Sequence, residues 1–328
     1  MSTVVRFHEF GGPEVLRLEE MNTPEPGPGE VRLRVRAIGL NRAEIMFRQG
    51  TFLQPELLSG LGVEAAGEIE ALGVGVTGFA VGDQVSVIPI VDFGRSSLYG
   101  EVGLAPASAL VRIPDGVDWT TAAASYGQYG ATWAALSDVA AIKPGQSVLI
   151  SAASSSLGVA AIQVANLLGA RPIALTRRSK KKAALLAAGA AAVIASEERD
   201  VVAEVMKLTN DRGADVVFDA VGGTDFPKLV DATAFGGVII IYGALSDAIT
   251  PLPTWGVVFR NATIKGFGMP IYVQEPARFE AVKRFVNDSL QSGALKPVIA
   301  STFPLSEIVE AHRTLETNEH VGKFVVLT

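Results

Sequence analysis

The sequence predicts an α/β protein of two domains: a β-rich domain from residues 1–121 and 296–328, and a doubly wound parallel sheet with flanking helices from residues 122–295. Three observations carry this prediction. A chain of 328 residues is longer than one hydrophobic core normally spans. The first third alternates apolar and polar residues between turns rich in Gly and Pro. Beyond Trp119, short apolar runs alternate with helical stretches, the rhythm of βα units.

Taken in order, VVRFHEF and VLRLEE flank the turn Gly11-Gly12-Pro13, PEPGPGE is a stiff connector, and VRLRVRAIGL alternates apolar and basic positions. GEIEALG and DQVSVIPI add further strands, so the first domain reads as a compact antiparallel barrel or curled sheet. The strands of the second domain are SVLISA, RPIALT, AAVIA, ADVVFDA and GVIIIYG. They are unbroken apolar runs, as burial on both faces requires. Near Leu295 the rhythm ends, and PVIASTFPL, a short helix and FVVLT rejoin the first domain.

Composition narrows the function. A formal net charge of −6 argues against nucleic acid or an anionic membrane as the main partner. The chain has no cysteine, which removes disulfides, thiolate nucleophiles and cysteine-liganded zinc. The start, MSTVVRFHEF, lacks a signal-peptide pattern. The uncharged stretch Ser147–Ala170 is interrupted by serines, Gln163, Asn166 and Gly158, so it reads as strand, loop and helix rather than a membrane span. A cytoplasmic protein is expected.

The strongest chemical signal is SVLISAASSSLGVAAIQVANLLGA. A buried strand runs into a loop of small residues and then a helix, the arrangement in which backbone amides and a helix N-terminus stabilise a pyrophosphate. Ala152, Ser155 and Gly158 hold the positions that glycines usually occupy, so the motif alone is also compatible with a plain tight βα turn. Ser154, Ser155, Ser156, Leu157 and Gly158 are the candidate phosphate contacts. The next strand, RPIALT, ends at Thr176, where an NAD site places an acid for the ribose. This chain instead continues Arg177-Arg178-Ser179-Lys180-Lys181-Lys182. Five cations in six residues oppose the dipole of the helix they open. A bound 2′-phosphate accounts for them, with Arg177, Ser179 and Lys181 as ligands and Arg178 as an alternate. NADPH is the expected cofactor.

These residues and their surroundings resemble the medium-chain dehydrogenase/reductase family along almost the whole chain. The matching segments are PEPGPGEVRLRVRAIGLNRAE, GLGVEAAGEIEALGVGVTGFAVGDQV, IKPGQSVLISAASSSLGVAAIQVANLLGA, GADVVFDAVGG and AHRTLETNEHVGKFVV. The resemblance implies a GroES-like catalytic domain with a Rossmann domain inserted into it, and a homodimer formed through the exposed edge of the Rossmann sheet, at GVIIIYG and its neighbour. The departures are informative. In zinc-dependent members a Cys stands where Leu40-Asn41 stand, and a His precedes the residue matched by Glu64; here that position is Val63. The chain is therefore nearer the zinc-independent quinone oxidoreductases and the related enoyl-thioester reductases, whose Asn is matched by Asn41. Their nearby tyrosines are replaced by Met46 and Phe52.

Hydride transfer without a Lewis acid suits acceptors that delocalise charge, so quinones and α,β-unsaturated carbonyls are expected. Asn41 is the leading catalytic and cofactor-binding candidate, as an amide donor, with capping of the helix NRAEIMFRQ as its structural alternative. Tyr129 faces either the cleft or the core, and Tyr126 and Gln128 share that ambiguity. Tyr242 and Gly243 end a parallel strand, where cofactors lie. Val221, Gly222, Phe267 and Gly268 match cofactor-flanking positions of the family, and Lys323 either closes over the cofactor or is an ordinary surface lysine. Met46, Phe52 and Tyr129 are the candidate substrate pocket, and His8, His312 and His320 are assigned no catalysis. The expected function is an NADPH-dependent, zinc-free reductase of quinones or conjugated carbonyls. An enoyl-thioester reductase and a low-turnover NADPH-binding sensor or structural protein are the alternatives.

Overall fold

A computed structural model describes residues 1–52, 57, 59–89 and 98–328. The end of the expected strand DQVSVIPI, at residue 90, lies outside the described residues. The chain opens with β1 (Ser2–Phe7), β2 (Arg17–Met21), β3 (Glu30–Gly39), β4 (Ser59–Gly60), β5 (Ala65–Leu72), β6 (Gln84–Val87), β7 (Val102–Pro106) and β8 (Leu110–Arg112). Then come β9 (Ser147–Ile150), β10 (Arg171–Thr176), β11 (Ala192–Ala195), β12 (Ala214–Asp219), β13 (Thr233–Ile241) and β14 (Thr263–Gly266). It closes with β15 (Ile299–Pro304) and β16 (Lys323–Leu327).

Two compact units result: Met1–Gly127 with Lys283–Thr328, and Gln128–Val282. The expected boundaries at 121/122 and 295/296 fall elsewhere for local reasons. Helix Trp119–Ala123 packs its alanines with Ala37, Ala66 and Val325 of the first unit. Asn287 accepts from the Tyr126 hydroxyl at 2.7 Å and donates to the Arg112 carbonyl, so the end of helix Pro276–Gln291 also belongs there.

In the first unit β15, β16, β3, β5, β6 and β8 are neighbours in that order, β7 also pairs with β3, and β2, β1 and β4 form a smaller sheet. The period-two pattern of β3 explains its place. Val31, Leu33, Val35 and Ala37 are buried while Arg34 and Arg36 are exposed. Arg34 and Arg32 both reach Glu70 on β5, at 2.6 and 3.5 Å. The alternation stops at Ala37, after which Ile38, Gly39 and Leu40 are all buried, because both faces are covered at that end. β16 pairs antiparallel with this covered end, matching Val325 to Gly39. Phe7 and Phe47 meet edge-on at 6.1 Å in the core, a geometry that adds roughly 0.5–1.5 kcal/mol to simple burial.

In the second unit the sheet is parallel throughout, in the order β11-β10-β9-β12-β13-β14. β9 is central, and the order reverses between it and β12, which is the switch point where ligands bind in doubly wound sheets. GVIIIYG is β13, one strand in from the edge; the edge is its neighbour β14. β14 escapes the sequence rhythm because TIKG contains a single large apolar residue. Ser147–Ala170 divides into β9, a turn and helix Ser156–Leu167. Among the described residues no helix is long and apolar enough to cross a membrane.

Candidate functional site

In the first unit, β3 ends at Gly39 and Leu40-Asn41 lead into helix Arg42–Arg48. A side chain at position 39 has no room: a Cβ there would lie 2.3 Å from the Ala123 carbonyl and 2.9 Å from Lys323 Cε. Asn41 starts the helix in an extended conformation, and its N–H donates to Glu44 Oε2 at 2.9 Å, half of a capping box. The Glu44 N–H donates to the Asn41 main-chain carbonyl at 3.1 Å.

The Asn41 side chain is held by two buried ions. Its Oδ1 accepts from Lys323 Nζ at 2.8 Å, and its Nδ2 donates to Gly39 O at 3.0 Å and Glu64 Oε2 at 3.3 Å. Lys323 and Glu64 form an ion pair at 2.6 Å, each side chain only 1 % exposed. Glu64 Oε1 accepts from the Gly127 N–H at 2.9 Å. Lys323 is therefore not the surface lysine of the default reading. Nor is Asn41 the amide donor expected from the sequence, because both of its side-chain N–H groups are already engaged.

Behind this cluster lies a second buried network. Glu44, wholly buried, accepts from the Tyr99 hydroxyl at 2.7 Å and the Val63 N–H at 3.1 Å. Burial pushes its carboxyl up to about 7, although these hydrogen bonds and Lys323 pull the other way. Arg48 donates to His312 Nδ1 at 3.0 Å, to Gly11 O and to Glu316 Oε1 at 2.6 Å. Arginine only donates, so Nδ1 is the acceptor and the neutral ring carries its proton on Nε2, facing the Tyr99 oxygen at 3.4 Å. Burial, and then Arg48, push His312 down to about 3. His312 is structural, and His8 pairs with Glu19 near the surface.

In the second unit, the turn after β9 carries Ala152 in the left-handed region (φ 44°), Ser155 as the N-cap of helix Ser156–Leu167, and its hydroxyl accepting from the Gly158 N–H. Ser156 and Leu157, the first helical positions, present N–H groups that the helix cannot satisfy. A Cβ on Gly158 would come within 2.5 Å of both Ala153 Cα and the Ala152 carbonyl, so only glycine lets the helix sit this close. Lys181 reaches back from the basic run to Ser154 Oγ at 3.0 Å, joining two motifs that the sequence separates. Arg177 is exposed. Ser179, by contrast, donates both its N–H and its hydroxyl to Glu198 Oε1, and Arg178 pairs with Glu197 at 2.7 Å. Thr176 is buried at the strand end.

The ends of β12, β13 and β14 lie along the same side of the sheet. Asp219 accepts from Ser151, Val221 N–H and Gly222 N–H, and thereby shapes the turn at Val221-Gly222. The Tyr242 ring stacks on Phe218 at 3.9 Å. Burial, then Asp219, push its phenol well up, with Ser155 beside it acting in the opposite sense. Gly243 passes close to Ala220, and the Phe267 N–H donates to Ile241 O before Gly268. Tyr129 is wholly buried and donates to Gln163 Oε1 at 2.8 Å, a packing role.

Two family descriptions match this chain: the alcohol dehydrogenase GroES-like domain over residues 27–115 and the zinc-binding dehydrogenase over residues 156–287. A quinone oxidoreductase of Pseudomonas aeruginosa is 31 % identical, with 100 % of both chains covered. The chain belongs to the quinone oxidoreductase branch of the medium-chain dehydrogenase/reductase family. Among solved structures, the Escherichia coli quinone oxidoreductase complexed with NADPH superposes with a TM-score of 0.91 at 28 % identity, covering 99 % of this chain and 100 % of that one. A structure described as an NAD-dependent alcohol dehydrogenase reaches 0.91 at 34 % identity, with 100 % of both chains covered.

Within that family frame, the structure joins Asn41 to two side chains that the sequence reading left apart, Glu64 and Lys323. The candidate pocket residues differ from one another: Met46 is half-buried, while Phe52 is 49 % exposed. The Glu44–Tyr99–His312–Arg48 network went unnoticed, although the spacing Asn41-x-x-Glu44 is a recognisable capping-box signature. Its remaining members are too far apart in sequence to be paired by inspection.

Proposed function

We propose that this quinone oxidoreductase relative is an NADPH-dependent reductase of quinones or conjugated carbonyl acceptors and that it works without zinc. The observation that carries the reading is the joining of the Ser154–Gly158 turn to the basic run through Lys181. The turn presents helix N-terminal amides suited to a pyrophosphate. Arg177 and Lys181 supply the charge for a 2′-phosphate, and Ser179 joins them only if Glu198 gives way. Val221, Gly222, Tyr242, Gly243, Phe267 and Gly268 line the strand ends beside which the rest of the dinucleotide would lie.

Bound NADPH supplies the hydride. Zinc does not fit the donor set: the chain lacks cysteine, Val63 offers no ligand atom, and both Glu64 oxygens serve Lys323, Asn41 and Gly127. No metal-ligating group of three His, Asp or Glu gathers among the described residues. All five tyrosines have phenols pushed upward, chiefly by burial, so none is tuned as an acid near neutral pH. That favours quinones, whose reduction leaves charge on an oxygen that water protonates readily. The same observation, with Met46 and Phe52 in place of tyrosines, supports a second reading: an NADPH-binding protein of low turnover.

A panel of 1,4-benzoquinone, an alkenal and an enoyl thioester, assayed by NADPH absorbance, separates these readings. The proposal expects the quinone to be reduced fastest. Tight NADPH binding without turnover of any acceptor would support the binding protein. We also propose a homodimer through the β14 side of the parallel sheet, supported by the exposed Ile249, Trp255, Val258 and Phe259. Trp255→Glu with Phe259→Glu should yield a monomer by light scattering, and a wild type that is itself monomeric would reject the dimer.

A further inference from the structure

We infer that Lys323 and Glu64 are positioning residues that fix the Asn41 amide so that it meets a ligand through its oxygen alone, as acceptor from a ligand hydroxyl. The two ends of an amide are easily exchanged in a structure, but here the neighbours leave no choice. An ammonium only donates, and Lys323 Nζ lies 2.8 Å from Oδ1. A carboxylate only accepts, and Glu64 Oε2 lies 3.3 Å from Nδ2. Reversing the amide would set donor against donor and acceptor against acceptor.

With that orientation fixed, the two N–H bonds of Nδ2 go to Glu64 and Gly39, and no donor is left for a carbonyl or an oxyanion. Oδ1 uses one lone pair on Lys323 and retains the other. Asn41 is half-buried, whereas Lys323 and Glu64 are sealed at 1 % exposure, so Asn41 is the member of the cluster that a ligand can touch.

The clamp is rigid because each ion is anchored on its far side. Glu64 is tied to the Gly127 N–H, and Lys323 is the first residue of β16, with its own N–H bonded to Val298 O. A buried ion pair contributes little net stability compared with an apolar pair of the same size, so stability alone does not account for it. Orientation of a half-exposed amide does.

The inference rests on the reductase reading only in taking NADPH, whose riboses carry hydroxyls, as the probe. The test is a fluorescence titration of NADPH into wild type, Asn41→Ala, Asn41→Asp, the charge-free pair Lys323→Met with Glu64→Gln, and that pair combined with Asn41→Ala. Removing both charges together avoids a stranded buried ion, so the fold should persist, and melting temperatures verify it. Asn41→Ala and the charge-free pair should each weaken NADPH binding about tenfold, and the triple variant also about tenfold, because both remove one contact. Asn41→Asp, which keeps an acceptor, should stay near wild type. A loss of about a hundredfold in the triple variant would show independent effects and overturn the positioning role. Asn41→Asp as weak as Asn41→Ala would overturn the acceptor role. A wild type that binds no NADPH would instead defeat the reductase reading, and this inference with it.

Discussion

Lys323 Nζ and Glu64 Oε2 lie 2.6 Å apart with both side chains sealed from solvent, 259 residues apart in the chain. This pair joins β16 to the segment preceding β5, and it sets the environment of Asn41. Removing one ion strands the other. Lys323→Met should therefore cost about 3–5 kcal/mol in chemical denaturation, while Lys323→Met with Glu64→Gln should recover most of that loss. Equal destabilisation of the single and paired variants would mean that the ions are not coupled.

Glu44 and His312 predict an unusual pH profile. The folded state raises Glu44 from 4.5 to about 7, so its contribution is full below 4.5 and is lost as pH rises towards 7. The folded state lowers His312 from 6.5 to about 3, so its contribution is full above 6.5 and is lost as pH falls towards 3. Between 4.5 and 6.5 the two slopes oppose each other. Glu44→Gln should expose the loss on acidification, and His312→Gln the loss on raising the pH, in melting temperatures measured across that range. Parallel profiles for wild type and both variants would contradict the assignment.

The basic run makes a selective prediction. Arg177→Ala with Lys181→Ala should weaken NADPH roughly a hundredfold, since charge-assisted hydrogen bonds to a phosphate contribute about 1.5–3 kcal/mol each before screening. NADH, which lacks the 2′-phosphate, should change little. Equal losses for both cofactors, read by fluorescence titration, would remove the phosphate from the account.

Gly158→Ala tests the turn. Its new Cβ would fall 2.5 Å from backbone atoms of Ala152 and Ala153, and backbone cannot move aside as a side-chain end can. The helix must shift, at about 1–3 kcal/mol, and dinucleotide binding should fall with it. An unchanged NADPH affinity would show that the turn does not hold the pyrophosphate.

Much of the fold was legible because it rests on local periodicity. The alternation of β3 and the apolar runs of β9, β10 and β12 each reflect which faces are covered. β14 was not legible, because four residues with one large apolar side chain carry no pattern. The turn at Ser154–Gly158 could be read from its small residues, but its link to Lys181 depends on the packing of neighbouring strand ends. Asn41 could be singled out, yet its polarity could not, since that is decided by Glu64 and by Lys323, 282 residues away. Lys323 looked like a surface residue because a lone lysine in sequence gives no sign of a buried partner.

The most direct measurement is NADPH consumption with 1,4-benzoquinone after dialysis against a chelator, with NADH as the comparison. The account predicts steady turnover with NADPH, unchanged when zinc is added back, and much slower turnover with NADH at equal concentration. No consumption, or activity that returns only with zinc, would contradict it.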